Sequence, residues 1–95
     1  MEIKMAHIMV QLSTKDFSEW KKGFDSEQAE QTRMKYGTRS KHVFQDASDP
    51  NRATVLLEME SLDKAKAFAT DPELRMNMQK AGVMGAPNFT FLKEL

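Results

Sequence analysis

Helix caps and turn residues divide this chain of 95 residues into separate strand and helix segments. Asp16, with Glu19 three residues later, forms a capping box and predicts a helix start, and Gly37 predicts the end of that helix. The Asp-Pro-Asn sequence at 49–51 is typical of a tight turn. Two further helix starts and one further helix end are predicted at Ser61, at 70–73 and at Gly82. These signals give the order β-α-β-β-α-β.

The hydrophobic periodicity agrees with this order. Residues 5–12 alternate between two faces, as a strand does. Residues 16–36 have helical spacing, with Phe17, Trp20 and Phe24 on one stripe, and predict one long helix. Further strands are predicted at 38–46, 52–60 and 88–95, and two short tandem helices at 61–69 and 70–81. We expect a single domain over residues 1–95, because a chain of this length has room for one small core.

The predicted fold is ferredoxin-like α+β, a four-stranded antiparallel sheet with both helical units on one face. The other face of the sheet would then be uncovered, although Met, His, Leu and Phe side chains occur on both faces of the strands. Exposed apolar patches above a few hundred Å² are uncommon in monomers. We therefore expect a homodimer that pairs sheet face to sheet face.

Composition excludes several classes of function. Fourteen Lys and Arg balance fourteen Asp and Glu, and the basic residues are scattered, so we expect no nucleic-acid partner. The chain has no cysteine, which excludes disulfides and thiolate metal sites, and we expect no metal and no cofactor. No apolar run approaches the roughly 20 residues of a membrane span, and no secretion signal is recognisable. These features favour a cytoplasmic protein without a membrane partner.

Several segments together resemble small dimeric α/β-barrel proteins, the antibiotic biosynthesis monooxygenases and related cyclase-like proteins. The matching segments are Asp16, Phe17, Trp20 and Phe24, the turn at 49–51, Val-Leu-Leu-Glu at 55–58, Ala-Lys-Ala-Phe at 65–68, Asp-Pro-Glu-Leu at 71–74, Met78, and Ala-Gly-Val at 81–83. They cover most of the chain and consist largely of folding signals. The resemblance implies a dimeric α/β barrel with a pocket between helices and sheet.

The resemblance does not extend to the haem-degrading branch of these proteins. A resemblance to that branch would require a set of Asn, Trp and His residues, with the Asn on the first strand. Here the first strand has no Asn, the only tryptophan is Trp20 on the first helix, and His42 falls on a strand. Haem degradation is therefore not expected.

Polar residues interrupt the apolar stripe of the first predicted helix. After Trp20 and Phe24 the stripe should continue near positions 27, 28 and 31, which are Glu27, Gln28 and Gln31. In one interpretation they face a cavity and hydrogen-bond a ligand whose apolar body lies on Trp20 and Phe24. In the other interpretation the helix has run past the sheet edge, and its second half faces water.

The candidate for proton transfer is His42, because histidine titrates near neutral pH. The alternative is that His42 makes a structural contact or a dimer contact. Tyr36 is a ligand-binding candidate at the pocket mouth, or it packs at the helix end. His7 is expected on the dimer-facing side, and Glu58 is either an inward base or an interface ion pair. Neither histidine has a carboxylate at a sequence spacing that predicts a dyad.

These patterns lead to two hypotheses about function. The first is a protein that binds a small aromatic or apolar molecule, as a cofactor-independent monooxygenase or cyclase-like enzyme does. The second is a non-catalytic structural or stress-associated dimeric module whose pocket is filled by side chains.

Overall fold

The computed structural model describes residues 5–95, so the first four positions of the predicted domain lie outside it. Four antiparallel strands form one sheet in the order β2-β3-β1-β4, and four helices pack against one face of it. In chain order the elements are β1 (Ala6–Thr14), α1 (Phe17–Phe24), α2 (Glu27–Lys35), β2 (Thr38–Gln45), β3 (Arg52–Met59), α3 (Leu62–Ala69), α4 (Pro72–Lys80) and β4 (Val83–Lys93). The predicted ferredoxin-like α+β fold is confirmed, and each helical unit is a tandem pair.

The core lies between the helices and the two central strands, β1 and β3. Alternate residues of both strands are buried, and Ile8, Leu57 and Met59 are the largest fully buried side chains. Trp20 of α1 and Phe68 of α3 cover them from the helical side. Burying each such side chain stabilises the fold by about 1.5–3 kcal/mol, so this layer holds the helices against the sheet.

The prediction of one long helix over residues 16–36 is wrong, because the helix is interrupted between Phe24 and Glu27. Ser26 adopts an extended backbone (φ −67°, ψ 156°) and caps α2, its side-chain oxygen accepting a hydrogen bond from the amide of Ala29. The same hydroxyl donates to the carbonyl of Gly23 at 2.7 Å and so also satisfies the end of α1. The second interpretation is therefore wrong about one long helix that runs past the sheet edge, although Glu27, Gln28 and Gln31 do face water as it expected.

The last strand begins earlier than the predicted residues 88–95. β4 starts at Val83, and its pairing with β1 shifts register between Gln11 and Ser13. Gly85 has a positive φ of 69° and absorbs this irregularity without ending the strand. Pro87 is compatible with a strand here because β4 is an edge strand.

The face of the sheet opposite the helices is mixed apolar and polar. Register places Met9 beside Leu56, and Phe44 beside Thr54, on this uncovered face. The face also carries His42 and Leu92, which are exposed. We call this surface the open face; its further members are His7, Gln11, Ser40, Glu58, Asn88 and Thr90.

Candidate functional site

A small cavity lies between the helices and the sheet. Its volume is about 60 Å³, and its walls come from α1, α2, α3 and α4 on one side and from β1 and β3 on the other. Trp20, Phe24, Phe68 and Met78 supply its large apolar side chains. This position agrees with the pocket implied by the family resemblance.

A wider groove adjoins this cavity along the edge strand β4. Its volume is about 520 Å³, and Phe89 and Phe91 of β4 line it together with Arg75 of α4. Met78 lines both the cavity and the groove. Methionine is flexible and repacks easily, so the Met78 side chain between the two spaces can change its conformation.

Only two of the predicted ligand-binding residues, Trp20 and Phe24, line the cavity. Glu27, Gln28 and Gln31 are exposed and lie outside its walls, and Gln31 donates a hydrogen bond to Glu27. The expectation that these three face the cavity is corrected, and the break at 25–26 is the physical reason. The stripe of α1 cannot be extrapolated, because α2 starts with a new rotational phase.

The buried face of α2 carries Ala29, Thr32 and Arg33 in place of the expected residues. The Arg33 side chain is 5% exposed. Its Nη2 donates to the carbonyl oxygen of Phe24 and to Oε2 of Glu30, both at 2.8 Å. Its guanidinium carbon lies 4.1 Å from the centroid of the Phe24 ring, within cation–π range. Arg33 therefore ties the end of α1 to α2.

Two cations share the carboxylate of Glu30. Lys41 Nζ of β2 lies 3.0 Å from the same Oε2 that accepts from Arg33, and 5.4 Å from the Phe24 ring centroid. The hydrogen bond from Arg33 is the largest cause that lowers the pKa of Glu30, the hydrogen bond from Lys41 is the next, and burial acts in the opposite direction. The carboxylate is thus ionised at neutral pH, and the group of three side chains carries a net positive charge.

Two polar nitrogens at the cavity lack partners. Arg33 Nε and Asn77 Nδ2 are buried and donate to no hydrogen-bond acceptor within residues 5–95. Thr32 differs, since its hydroxyl is hydrogen-bonded to the carbonyl of Gln28 and to Glu73. Buried donors in folded proteins are nearly always satisfied, so these two nitrogens are exceptions among the described residues.

Tyr36 lies outside the cavity and joins α2 to α4. Its hydroxyl donates to Oδ2 of Asp71, and its ring meets that of Phe68 edge-on at 5.8 Å. This hydrogen bond is the largest cause that raises the pKa of Tyr36 and lowers the pKa of Asp71. Asp71 also caps α4 by accepting from the amide of Glu73. Helix-end packing, the alternative role considered for Tyr36, matches this position.

His42 lies on the open face, with the sheet between it and the cavity. It is exposed and pairs in register with Leu56, whereas Val55 and Leu57 point to the cavity side. A ligand in the cavity cannot reach its imidazole. The histidine with an acidic neighbour is His7, whose Nε2 lies 3.4 Å from Oε2 of Glu58. The separation of His7 and Glu58 along the sequence could not predict this dyad, because the two residues are brought together by the register of β1 and β3.

Sequence analysis missed Arg33 and Asn77, the two polar residues with buried unpaired nitrogens at the cavity. Arginine and asparagine are usually exposed, and both lie among other polar residues of their helices. For Arg33, the sequence signal that could have been used is Ser26, the N-cap of α2. A cap at this position starts a new helix, whose face then has to be counted from Glu27.

Neither a metal cluster nor a membrane span is found in the described part of the chain. Among residues 5–95 no three His, Cys, Asp or Glu side chains are grouped so that they could hold a metal ion. None of the helices in that range is long and apolar enough to cross a membrane.

Solved structures with the same fold include three that cover nearly the whole chain. A protein from Nitrosomonas europaea, provisionally named an antibiotic biosynthesis monooxygenase, has a TM-score of 0.73 at 16% identity and covers 100% of this chain and 94% of its own. One with the same provisional name from Bordetella bronchiseptica has 0.72 at 12% identity, covering 97% and 98%. A conserved protein from Methanosarcina mazei has 0.73 at 11%, covering 98% and 95%. The resemblance to the monooxygenase-like proteins is thus confirmed for the fold.

Comparison with sequence families gives a second result. No curated protein matches the chain. A family described as a domain of unknown function, DUF3764, matches residues 3–86, which is most of the sequence. The chain belongs to this family.

Proposed function

We propose that this DUF3764 domain binds a small aromatic or apolar molecule between its helices and its sheet. The observation that carries the proposal is the apolar cavity walled by Trp20 and Phe24, next to the wider groove along β4. Ligand sites in proteins are concave, mostly apolar and about 300–1,000 Å³ in volume. The groove falls in this range, whereas the cavity alone does not.

The size of the cavity determines how a ligand would fit. An apolar cavity of about 150 Å³ is known to hold benzene, and the cavity here has about 60 Å³. A ring therefore needs space on both sides of Met78. Rotation of this flexible side chain would join the cavity to the groove, so that a ligand could contact Trp20 at one end and Phe89 at the other.

The enzymatic form of this proposal is a cofactor-independent monooxygenase or cyclase-like reaction. Its support is the provisional name of the solved neighbours, and a shared fold is weak support for a shared reaction. Turnover of quinol-like or anthrone-like phenols under air, without added metal or flavin, is the direct test. A His42→Ala variant should turn over at the same rate as the unchanged protein, because the sheet separates His42 from the cavity.

We also propose that the protein is a homodimer joined through the open face. Met9, Leu56, Phe44 and Leu92 give this surface an apolar component that the helices do not cover. Sedimentation at micromolar concentration should give twice the chain mass, and a stable monomer would contradict the proposal. The absence of cysteine leads us to propose the reducing cytoplasm as the place of action.

The binding experiment uses Trp20, the single tryptophan of the chain, as its probe. Titration with 1-naphthol should change the fluorescence of Trp20. A Met78→Ala variant, which opens the passage to the groove, should bind the probe more tightly. Met76→Ala is the matched control, because Met76 lies on the same helix, is exposed and lines neither space.

The small volume of the cavity favours the alternative, a non-catalytic structural or stress-associated dimeric module. In such a module side chains fill the space between helices and sheet. Absence of any saturable probe binding, in both the unchanged protein and Met78→Ala, would support this alternative and reject the ligand-binding proposal.

A further inference from the structure

We propose that the ligand carries an anionic oxygen, a carboxylate or phenolate, which Arg33 and Asn77 bind at the wall of the cavity. The inference rests on the proposed function, since it names the class of molecule that the cavity would take. Its starting point is that Arg33 and Asn77 line the same cavity and that each has one buried nitrogen without a partner among residues 5–95.

The unpaired donors are chemically specific. Arg33 Nε and Asn77 Nδ2 are nitrogens that donate hydrogen bonds and cannot accept them. Each is buried without a partner among residues 5–95, and such a donor destabilises the empty protein. Together they require an acceptor atom, and oxygen is the acceptor that a small organic molecule most commonly offers.

The local charge favours a negatively charged acceptor. Arg33 is the one charged side chain among the lining residues of the cavity. The neighbouring charges of Glu30, Lys41 and Glu73 are bonded to Arg33, to one another or to Thr32, and all three residues lie outside the cavity wall. An ionised ligand would gain charge-assisted hydrogen bonds, which are roughly twice as strong as neutral ones.

The rest of the ligand must be apolar. The cavity wall near Arg33 consists of the Phe24 ring, which the guanidinium overlies, and of Trp20, whose ring lies 5.3 Å from Phe24. A flat ring is suited to these aromatic faces. An acid with a single aromatic ring therefore combines the required oxygen with the required body.

Ordered water is the competing occupant. A cavity of about 60 Å³ has room for water, and a water oxygen can accept from a nitrogen donor. A ligand oxygen that reproduces both hydrogen bonds can displace such a water without loss, whereas an apolar group cannot. Two ligands with the same ring, one with an anionic oxygen group and one with a neutral oxygen, test whether the site prefers the anion.

The experiment compares benzoate with benzyl alcohol at pH 7 and constant ionic strength. Binding is followed by Trp20 fluorescence and by the ¹H–¹⁵N resonance of Arg33 Nε. Benzoate should bind at least about tenfold more tightly and should shift the Nε resonance, because a charge-assisted hydrogen bond is lost with the alcohol. Asn77→Asp should weaken benzoate binding by about tenfold or more and change binding of the alcohol by less than about twofold.

Asn51→Asp is the control variant, because it adds the same charge at an exposed turn outside the cavity. Thermal unfolding followed by circular dichroism establishes that each variant is folded, and Arg33→Lys is the second test if Asn77→Asp unfolds. Equal affinity for the two probes would overturn the anionic inference and leave the proposed function standing. If Asn77→Asp and Asn51→Asp weaken benzoate binding equally, the assignment of Asn77 to the ligand site is wrong. Failure of benzoate, benzyl alcohol and 1-naphthol to bind would reject the proposed function itself.

Discussion

Arg33 illustrates how a single charged residue can hold a core together. Its stem and guanidinium are buried, its hydrogen bond to Phe24 closes the end of α1, and its planar group lies over the Phe24 ring. Lysine could not supply the same planar contact and forked donors. A residue type usually taken as a surface marker thus forms part of the cavity wall.

Tyr36 and Asp71 form a residue pair whose contribution depends on pH. Hydrogen bonding to Tyr36 lowers the pKa of Asp71, so its stabilisation is present above the unfolded value of about 3.9 and is lost as pH falls through the folded value. The pKa of Tyr36 is raised, so its contribution is present below about 10 and is lost as pH rises through the folded value. The pair therefore stabilises the fold most at neutral pH.

We expect Tyr36→Phe to lower the free energy of unfolding at pH 7 and to matter less in acid. The measurement is urea denaturation of both proteins at several pH values between 2 and 7. Other carboxylates with lowered pKa values, including Glu30, Asp46 and Glu60, affect both proteins equally and cancel in the difference. A difference that stays constant down to pH 2 would contradict the expectation.

Asp71→Asn provides the control for this pair. Asparagine is as good an N-cap as aspartate, so the start of α4 is retained while the titrating group is lost. In this background the effect of Tyr36→Phe should no longer vary with pH in the acid range.

At the level of elements, Ser26 determines that α1 and α2 are separate helices. Ser26→Ala removes the cap on the amide of Ala29 and the hydrogen bond to Gly23. We expect a loss of about 1 kcal/mol in the free energy of unfolding, measured in urea. Ser18→Ala is the matched control, because Ser18 is exposed within α1 and should change stability by less than about 0.5 kcal/mol. Equal effects of the two substitutions would refute the role of the cap.

Gly23 sets how closely α1 approaches α4. A Cβ at this position would lie 2.8 Å from the Cβ of Ala81, well inside van der Waals contact. We expect Gly23→Ala to destabilise the protein by about 1 kcal/mol, because an overpacking cost of about 1–3 kcal/mol exceeds the helical gain of about 0.5–1 kcal/mol. Adding Ala81→Gly should restore most of the loss in thermal or urea unfolding. A single variant more stable than the original would show that the two helices can separate at no cost.

The elements were largely predictable from sequence because their signals are local. Capping residues, the Pro-Asn turn and the glycine helix ends act within a few residues, and they located the strands and the second helical pair. The prediction failed where one local signal was overlooked, at Ser26. It also failed at β4, where Gly85 bends a strand and does not end it.

The site was less predictable because it depends on the rotation of helices about their axes. Trp20 and Phe24 were found, since an apolar stripe reports its own buried face. Arg33 and Asn77 come from helices whose composition is mostly polar, and only their packing brings them to one cavity. Likewise His7 and Glu58 become neighbours only through strand register.

At the level of the whole molecule, the proposed homodimer would be joined through the open face. Leu56 lies on a central strand, beside Met9 on one side and His42 on the other. If this face is buried against a second copy, Leu56→Asp should weaken dimerisation by about a hundredfold or more, because it places an unpaired charge in the interface. Sedimentation equilibrium measures the change.

Met34→Asp is the control for the assembly experiment. Met34 is 66% exposed on α2 and does not belong to the open face, so the same added charge should leave the dimer intact. Unchanged association of Leu56→Asp would place the subunit contact elsewhere on the surface.

The two edge strands disfavour the addition of a strand from another chain to the sheet. β2 and β4 form the margins of the sheet, and Pro87 in β4 has no amide hydrogen to offer an additional strand. The bend at Gly85 further disrupts that margin, while Arg39 and Lys41 place cations along β2. Another molecule can stack on the sheet without lengthening it, so these margins disfavour open-ended fibrils.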